Sequence, residues 1–294
     1  MNSRLTATRR LGDASVAVWM RRGRLATTGS HLADSPLPIA REPATCDGDR
    51  MSSASLVDTG PMLRAAVRLA MPGRHPHVGS EHIALLAIDG PDGIGAFAEE
   101  AGLRARAVQF ALFGCCSSAP VPRATDDEPG ITPRSVGLLA TAAQAAAAAG
   151  HAEIGPPHLA VALLTEPGAI AWSGLRAGGA TLEVVLDGLA RRPHGAAWLA
   201  LVAGSPAAAA ACIETLYDHA MCWLTWGSRE GLGWRSRSDG ESPAAARARE
   251  ETGDLLRLAT RLGWLPASLL GIYESGDAES IAESAATARE KGPV

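Results

Sequence analysis

Residues 75–88, HPHVGSEHIALLAI, and residues 151–164, HAEIGPPHLAVALL, are two versions of one sequence. They lie 76 positions apart and align without a gap. The same offset pairs identical turn and apolar residues further along the chain: Pro91 with Pro167, Ile94 with Ile170 and Gly102 with Gly178. Because small, apolar and turn positions agree over a whole structural unit, we infer an internal duplication between about residues 56 and 190.

The second unit has the pattern of a bundle of short helices. Thr132 followed by Pro133 is typical of a helix N-cap with proline in the first turn, and Gly150 is typical of a helix end. Helices are therefore predicted over residues 136–149, 156–164, from about 170 onward, and 182–189. The chain is rich in Ala and only 4% of its residues are aromatic, so the expected fold class is all-α.

The repeats divide the chain into three parts. Residues 1–50 carry eight Arg and no sustained hydrophobic period, which predicts either a disordered extension or a stretch upstream of the true start at Met51. Residues 51–193 form the predicted double-repeat domain, with repeat 1 at about 56–116 and repeat 2 at about 131–190. Residues 194–294 form a predicted helical C-terminal region rich in tryptophan.

Composition excludes several classes of function. A net charge of -4 gives no reason to expect binding to nucleic acid or to a membrane surface, and no run of about 20 apolar residues predicts a membrane span. The odd count of five cysteines suits a reducing compartment, so we expect a cytoplasmic protein. The single lysine, Lys291, is followed by Gly and Pro and fits neither a P-loop nor a Schiff base. We expect no ATPase activity and no cofactor.

The repeated motif resembles a known family. The segment VGSEHI at residues 78–83 resembles the V-G-T-E-H-I/L signature of the Clp N-terminal repeat, which is found in ClpC- and ClpA-type chaperones and in stand-alone relatives. The segment ITPR at 131–134, followed by a helix and GHAEIG at 150–155, resembles the opening of that family's second repeat. The resemblance implies an all-helical double repeat with a pseudo-twofold axis, which docks substrates and adaptors onto a Clp motor. It does not extend to residues 194–294.

The resemblance also implies which residues bind a partner. Some members of the family bind proteins that carry phosphorylated arginine. A glutamate at a helix start can pair with the guanidinium, while a threonine at a neighbouring helix N-terminus offers donors to the phosphate. These two positions are Glu81 and Thr132 here, with Ser80 and Arg134 beside them.

The second copy of this site departs from the family pattern. Pro157 stands where the family has the glutamate of the second repeat. Leu56 stands nearest to the threonine position of the first repeat, with Thr59 a few residues away. The sequence therefore predicts that one of two symmetric pockets has lost its carboxylate and that the other has lost its phosphate-binding end.

Other polar clusters have alternative explanations. His75, His77 and His82 with Glu81 could ligate a metal, but His82 and its counterpart His158 fit helix-start packing positions, so we expect no metal. Adjacent Cys115 and Cys116 could be a redox pair or metal ligands, and a Cys–His pair could form from Cys212 or Cys222 with His219. Packing is the favoured interpretation of all four cysteines.

Two hypotheses for function follow. The first is a non-ATPase adaptor, decoy or regulator of a Clp chaperone–protease, whose partners are Clp ATPase or protease subunits or their client proteins. The second is a small-molecule-sequestering protein or an enzyme of specialised metabolism, with an aromatic pocket for an apolar ligand. That pocket would be lined by five residues of the C-terminal region: Tyr217, Trp223, Trp226, Trp234 and Trp264. No nucleophile–base pair or paired carboxylates are predicted, which favours the binding protein.

Overall fold

Thirteen helices and one pair of two-residue strands form the regular structure of the computed structural model, which describes residues 57–73, 75–117, 129–231 and 243–292. The expected all-α class is confirmed. The predicted N-terminal extension and Trp234 lie outside the described residues. Among the described residues no single helix is long and apolar enough to cross a membrane.

The two repeats each contain four helices in the same order, but the strand follows the first helix in repeat 1 and precedes it in repeat 2. Repeat 1 contains α1 (Gly60–Ala70), β1 (His77–Val78), α2 (Ser80–Ile88), α3 (Ile94–Glu100) and α4 (Ala105–Ser117). Repeat 2 contains β2 (Gly130–Ile131), α5 (Pro133–Ala148), α6 (Pro156–Leu164), α7 (Ile170–Ala177) and α8 (Leu182–Ala190). Helix α5 begins at Pro133 with Thr132 as its N-cap, as the sequence predicted, and Thr132 accepts a hydrogen bond from the Ser135 N–H.

The repeats pack on each other reciprocally, as the pseudo-twofold relation requires. Helix α2 packs against α6 at the centre, α4 packs against α7, and α3 packs against α8. Two glycines on α7 allow a close approach: a Cβ at Gly178 would lie 2.4 Å from the Val108 Cα, and one at Gly174 would lie 2.9 Å from the Leu112 Cα. Small residues at these positions therefore let the α4 and α7 backbones touch.

A short parallel ladder joins the entrances of the two repeats. His77 pairs with Gly130 and Val78 pairs with Ile131. The Gly130 N–H donates to the Pro76 carbonyl at 2.9 Å. Since β1 leads into α2 and β2 leads into α5, this ladder places the N-terminal ends of those two helices side by side.

The C-terminal region adds five helices that pack directly on repeat 2. They are α9 (Gly195–Ala203), α10 (Pro206–Gly231), α11 (Pro243–Arg261), α12 (Ser268–Glu274) and α13 (Ala278–Lys291). Helix α10 packs against α11 and α13, α11 packs against α8, and α9 packs against α5, α6 and α8. The described residues from Val57 onward cluster into one compact unit. The domain boundary at residue 193 stays a prediction.

One buried carboxylate fastens α11 to repeat 2. Asp254 is 4% exposed and accepts hydrogen bonds from the Leu182 N–H at 3.1 Å and from the Arg176 Nε at 2.8 Å. Leu182 is the first residue of α8, so Asp254 satisfies one of the N–H groups that a helix start leaves without an intrahelical partner. A charge in the interior is tolerated here because it is both paired and hydrogen-bonded.

Helices α9 and α10 are the most continuous apolar stretch of the described chain. The two helices meet at a 70° bend. Counted together as far as Trp226, they are as long and as apolar as a membrane span, which is a statement of length and composition only. In this fold the indole of Trp198 on α9 donates to the Ala145 carbonyl of repeat 2 at 2.9 Å. The Trp264 indole donates to the Ala203 carbonyl at the end of α9, also at 2.9 Å.

Candidate functional site

Glu81, the second residue of α2, is mostly buried, with 16% of its side chain exposed. Its carboxylate folds back over Gly79, where an added Cβ would lie 2.3 Å from the Oε2 atom. Burial alone would raise the pKa of Glu81. The opposing effects are larger: the carboxylate forms hydrogen bonds to His82 and to its own backbone, and the charges of His82 and His75 also lower the pKa. The pKa therefore lies below its ordinary value, and Glu81 is an anion at neutral pH.

His82 closes the start of α2 with its own side chain. The Gly79 N–H donates to its Nδ1 at 3.0 Å, so a neutral ring carries its proton on Nε2, which faces the His75 Nδ1 at 3.0 Å. The Glu81 Oε1 also lies 3.1 Å from this Nδ1. Because a carboxylate has about four acceptor positions, one hydrogen bond to His82 leaves Glu81 with lone pairs available for a cation from another molecule.

Thr132 and Ser135 tie the start of α5 to the strand that precedes Glu81. The Ser135 hydroxyl is fully buried and donates to the Val78 carbonyl at 2.8 Å. The Thr132 Oγ1 lies 3.3 Å from the same carbonyl and accepts the Ser135 N–H at 3.2 Å. Since Val78 is three residues before Glu81, these hydroxyls bring Thr132 and Glu81 to neighbouring positions. Sequence reasoning missed Ser135, because the capping-box pattern expects Glu or Gln at this position.

Replacing Ser135 with alanine should lower the free energy of unfolding by about 1–3 kcal/mol, because the buried Val78 carbonyl loses its shortest hydrogen bond. Urea denaturation measures this change. Ser275→Ala is the matched control, since the Ser275 hydroxyl makes a similar bond at an exposed position. Equal stability of the two variants would contradict the assigned role of Ser135.

The remaining residues of the predicted site have different surroundings. Ser80 is the first residue of α2 and is only 4% exposed. Arg134 is 53% exposed, and its Nε lies 3.3 Å from the Glu166 Oε2. Two apolar side chains that sequence reasoning missed, Ile131 and Val136, are 39% and 55% exposed on either side of Thr132. The site therefore combines an anion, an exposed guanidinium and an apolar rim.

Comparison with known protein families identifies the second half of this architecture. Residues 130–192 match the family model described as the Clp repeat (R) N-terminal domain. Repeat 2 is therefore similar to a Clp repeat. The match includes β2, Thr132 and helices α5–α8, which agrees with the resemblance inferred from the sequence. No curated protein and no solved structure shows significant similarity to the chain.

Repeat 2 preserves the helix cap of repeat 1 but not its charge. The Gly155 N–H donates to the His158 Nδ1 at 2.8 Å, and the His158 Nε2 lies 2.8 Å from the His151 Nδ1. Pro156 and Pro157 open the helix, so its first two residues have neither a carboxylate nor a backbone N–H. Of these two equivalent helix starts, that of α2 therefore carries a carboxylate and that of α6 does not.

The candidate metal ligands are close together in repeat 1. Among the described residues, His75, Glu81 and His82 form the group whose ligand atoms all lie within 4.8 Å of one another. Both nitrogens of His82 already have neighbours, the Gly79 N–H and His75. A metal at this position would have to displace the cap of α2, so the residues do not fit a preformed site.

Three of the described cysteines, Cys115, Cys116 and Cys212, have pKa values raised by burial. Burial raises the pKa of Cys116 and of Cys212 to about 12, and burial also raises the pKa of Cys115. These thiols are therefore protonated at neutral pH and are poor nucleophiles. His219 lies 2.9 Å from the Glu251 carboxylate, while Cys222 is exposed.

The aromatic residues proposed for a ligand pocket are distributed over the C-terminal helices. Trp223 is 7% exposed and packs edge-on against Tyr273, with ring centroids 5.9 Å apart, while Trp226 is 41% exposed. Trp264 is 3% exposed, and Tyr217 lies under the Arg289 guanidinium at 4.5 Å. A half-open cleft of about 340 Å³ between α8, α11 and α12 is lined by other residues, including Tyr273 and Arg257. The aromatic pocket stays a prediction.

Proposed function

We propose that the protein is a non-ATPase binding protein of a Clp chaperone–protease system in the cytoplasm, acting as an adaptor, decoy or regulator. Its partners would be Clp ATPase or protease subunits, or their clients. The observation that carries the proposal is the position of Glu81, an anionic carboxylate with free acceptor capacity beside the start of α5. The Clp repeat at 130–192 supports the same class of function, since such domains mediate interactions within the Clp system.

The contacts at this site favour a partner segment that carries a guanidinium. Glu81 would pair with it, and the exposed side chains of Ile131 and Val136 would pack against its apolar neighbours. A phosphoryl group on that arginine would have to bind to Arg134. The other donors at the start of α5 are not available, because Pro133 has no N–H and the Ser135 N–H already bonds to Thr132. Arg134 is held only by an exposed ion pair with Glu166, which exchanges at little cost.

Binding without a motor limits what the protein can do. These 294 residues carry no P-loop, so they can hold, deliver or compete for a partner but cannot drive unfolding. A decoy acts by mass action, since each partner molecule it holds is unavailable to the corresponding domain of the motor.

The proposal is tested with arginine-rich peptides, with and without phosphorylated arginine, in a direct binding titration. Glu81→Gln should weaken binding by about 10–100-fold, because a charge-assisted hydrogen bond contributes about 1.5–3 kcal/mol. The matched control is Glu153→Gln, which removes an exposed carboxylate just before the capped helix of repeat 2 and should leave affinity unchanged. Equal affinity of wild type and Glu81→Gln for both peptides would overturn the assignment.

A second variant tests the asymmetry of the repeats. Pro157→Glu restores the carboxylate that the resemblance expects in repeat 2. If a glutamate at this helix start is what binds the guanidinium, the variant should bind more than one peptide per chain, where the wild type binds one. A stoichiometry that stays at one would show that the carboxylate alone does not make the site.

A further inference from the structure

Three histidines and a tryptophan meet where repeat 2 contacts the C-terminal region. His151 comes from the turn between α5 and α6, His158 from the start of α6, and His194 is the N-cap of α9. The centroids of the His151 ring lie 5.0 Å from His158 and 4.9 Å from His194. Trp198 on α9 packs against His158 at 5.4 Å and against His194 at 5.7 Å. The cluster therefore bridges the repeats and α9.

The hydrogen bonds in this cluster require neutral rings. The His158 Nδ1 accepts the Gly155 N–H, so its proton is on Nε2, which donates to the His151 Nδ1. A second proton on His158 would oppose the Gly155 N–H. A proton on the His151 Nδ1 would oppose the His158 N–H. Protonation of either ring thus breaks one of the two bonds.

Among the described residues, no negative charge is paired with this cluster. Within residues 57–73, 75–117, 129–231 and 243–292, no carboxylate forms an ion pair with these three rings. The titratable groups that act on His158 are His151, from the α5–α6 turn, and His194, from the α8–α9 turn. In repeat 1 the corresponding ring, His82, has Glu81 at 3.1 Å. Charging the cluster in repeat 2 therefore brings cations together without compensation.

We propose that this cluster is a pH-sensitive latch, which holds α9 against repeat 2 while His158 is neutral and releases it when His158 is protonated. Release would separate the Trp198 side of α9 from the start of α6, while the packing of repeat 1 on repeat 2 stays intact. The latch does not depend on partner binding at Glu81.

The direction and size of the response follow from His158. Burial, and then the charges of His151 and His194, lower the pKa of His158 to about 4 in the closed state. In an open state the ring would regain the ordinary value of 6.5. The latch is therefore fully closed above 6.5 and loses stability as the pH falls from there towards 4. At about pH 5 the opening equilibrium should be about 30-fold more favourable than at about pH 8, from this ring alone.

Amide hydrogen exchange of the full chain, followed by mass spectrometry and corrected for the intrinsic pH dependence, measures this opening. In the wild type, the protection factors of the α9 amides should fall about 30-fold between about pH 8 and pH 5. Those of α3, on the far side of the repeats, should not fall. His158→Asn keeps an acceptor for the Gly155 N–H but cannot be protonated, and should show less than about a threefold change. The exposed His77→Asn is the matched control and should respond like the wild type.

Two results would overturn the latch. One is a wild-type chain in which α9 and α3 lose protection equally. The other is an undiminished response in His158→Asn. If that variant folds poorly, His194→Gln is a second test, at a residue outside repeat 2. It removes one charge that repels a protonated His158, so the loss of α9 protection at low pH should be smaller. An unchanged loss of protection would count against the proposal.

Discussion

Replacing Asp254 with alanine is expected to lower the free energy of unfolding by about 3–5 kcal/mol, among the largest effects of any single substitution in this chain. Asp254 and Arg176 are 6% and 14% exposed at their side chains, and their ion pair joins α11 to α7 at 2.8 Å. The alanine variant leaves the Arg176 guanidinium buried without its partner, and the Arg176 Nη2 already has no hydrogen bond among the described residues. It also removes the acceptor for the Leu182 N–H.

Urea denaturation of the full chain measures the loss. The matched control is Asp187→Ala on α8, whose carboxylate pairs with Arg261 at an exposed position and should contribute less than about 1 kcal/mol. A second test replaces both partners, Asp254→Leu with Arg176→Met, and should recover part of the stability because no unpaired charge is left in the interior. The assigned role of Asp254 fails if its alanine variant is as stable as the control.

Replacing Trp172 with alanine should also cost about 3–5 kcal/mol. Trp172 is fully buried on α7, and its indole donates to the Leu163 carbonyl at the end of α6 at 3.0 Å. The substitution creates a cavity at the centre of repeat 2 and leaves that carbonyl without its donor. At the same position of repeat 1 the chain has Ala96, so this large core residue belongs to repeat 2 alone.

Two further variants separate packing from hydrogen bonding at this position. Trp172→Phe keeps most of the volume but not the indole N–H, and should cost less than the alanine variant, about 1–3 kcal/mol. Ile170→Ala lies two residues away on the same helix, where the side chain is 57% exposed, and should change stability by less than about 0.5 kcal/mol. Equal effects of Trp172→Ala and Ile170→Ala would contradict the core position of the indole.

Local patterns in the sequence predict much of the repeat fold. The duplication, the cap at Thr132 and the turn glycine at Gly150 depend on residues close together in the chain, and so does the similarity of residues 130–192 to the Clp repeat. The ladder between β1 and β2 has only two residues per strand, which is too short for a period to be recognised. The helices of the repeats could therefore be predicted from the sequence. The pairing of β1 with β2, which positions Glu81 beside Thr132, could not.

No local sequence pattern predicts the interactions that join the C-terminal region to the repeats. Asp254 bonds to a backbone N–H 72 positions earlier, and Trp198 bonds to a carbonyl 53 positions earlier. Nothing in a helical pattern distinguishes such an Asp from one on a solvated face. The histidine cluster was missed for the same reason, since His194 and Trp198 join His151 and His158 only in the folded chain.

The two prolines at the start of α6 have a consequence for assembly. A duplicated unit would normally offer two equivalent surfaces, and a protein with two can cross-link its partners into larger complexes. With Pro157 in place of the second carboxylate, the proposed binding protein would be univalent. It can cap a partner and withdraw it from exchange, but through this site it cannot bridge two partners or build a scaffold.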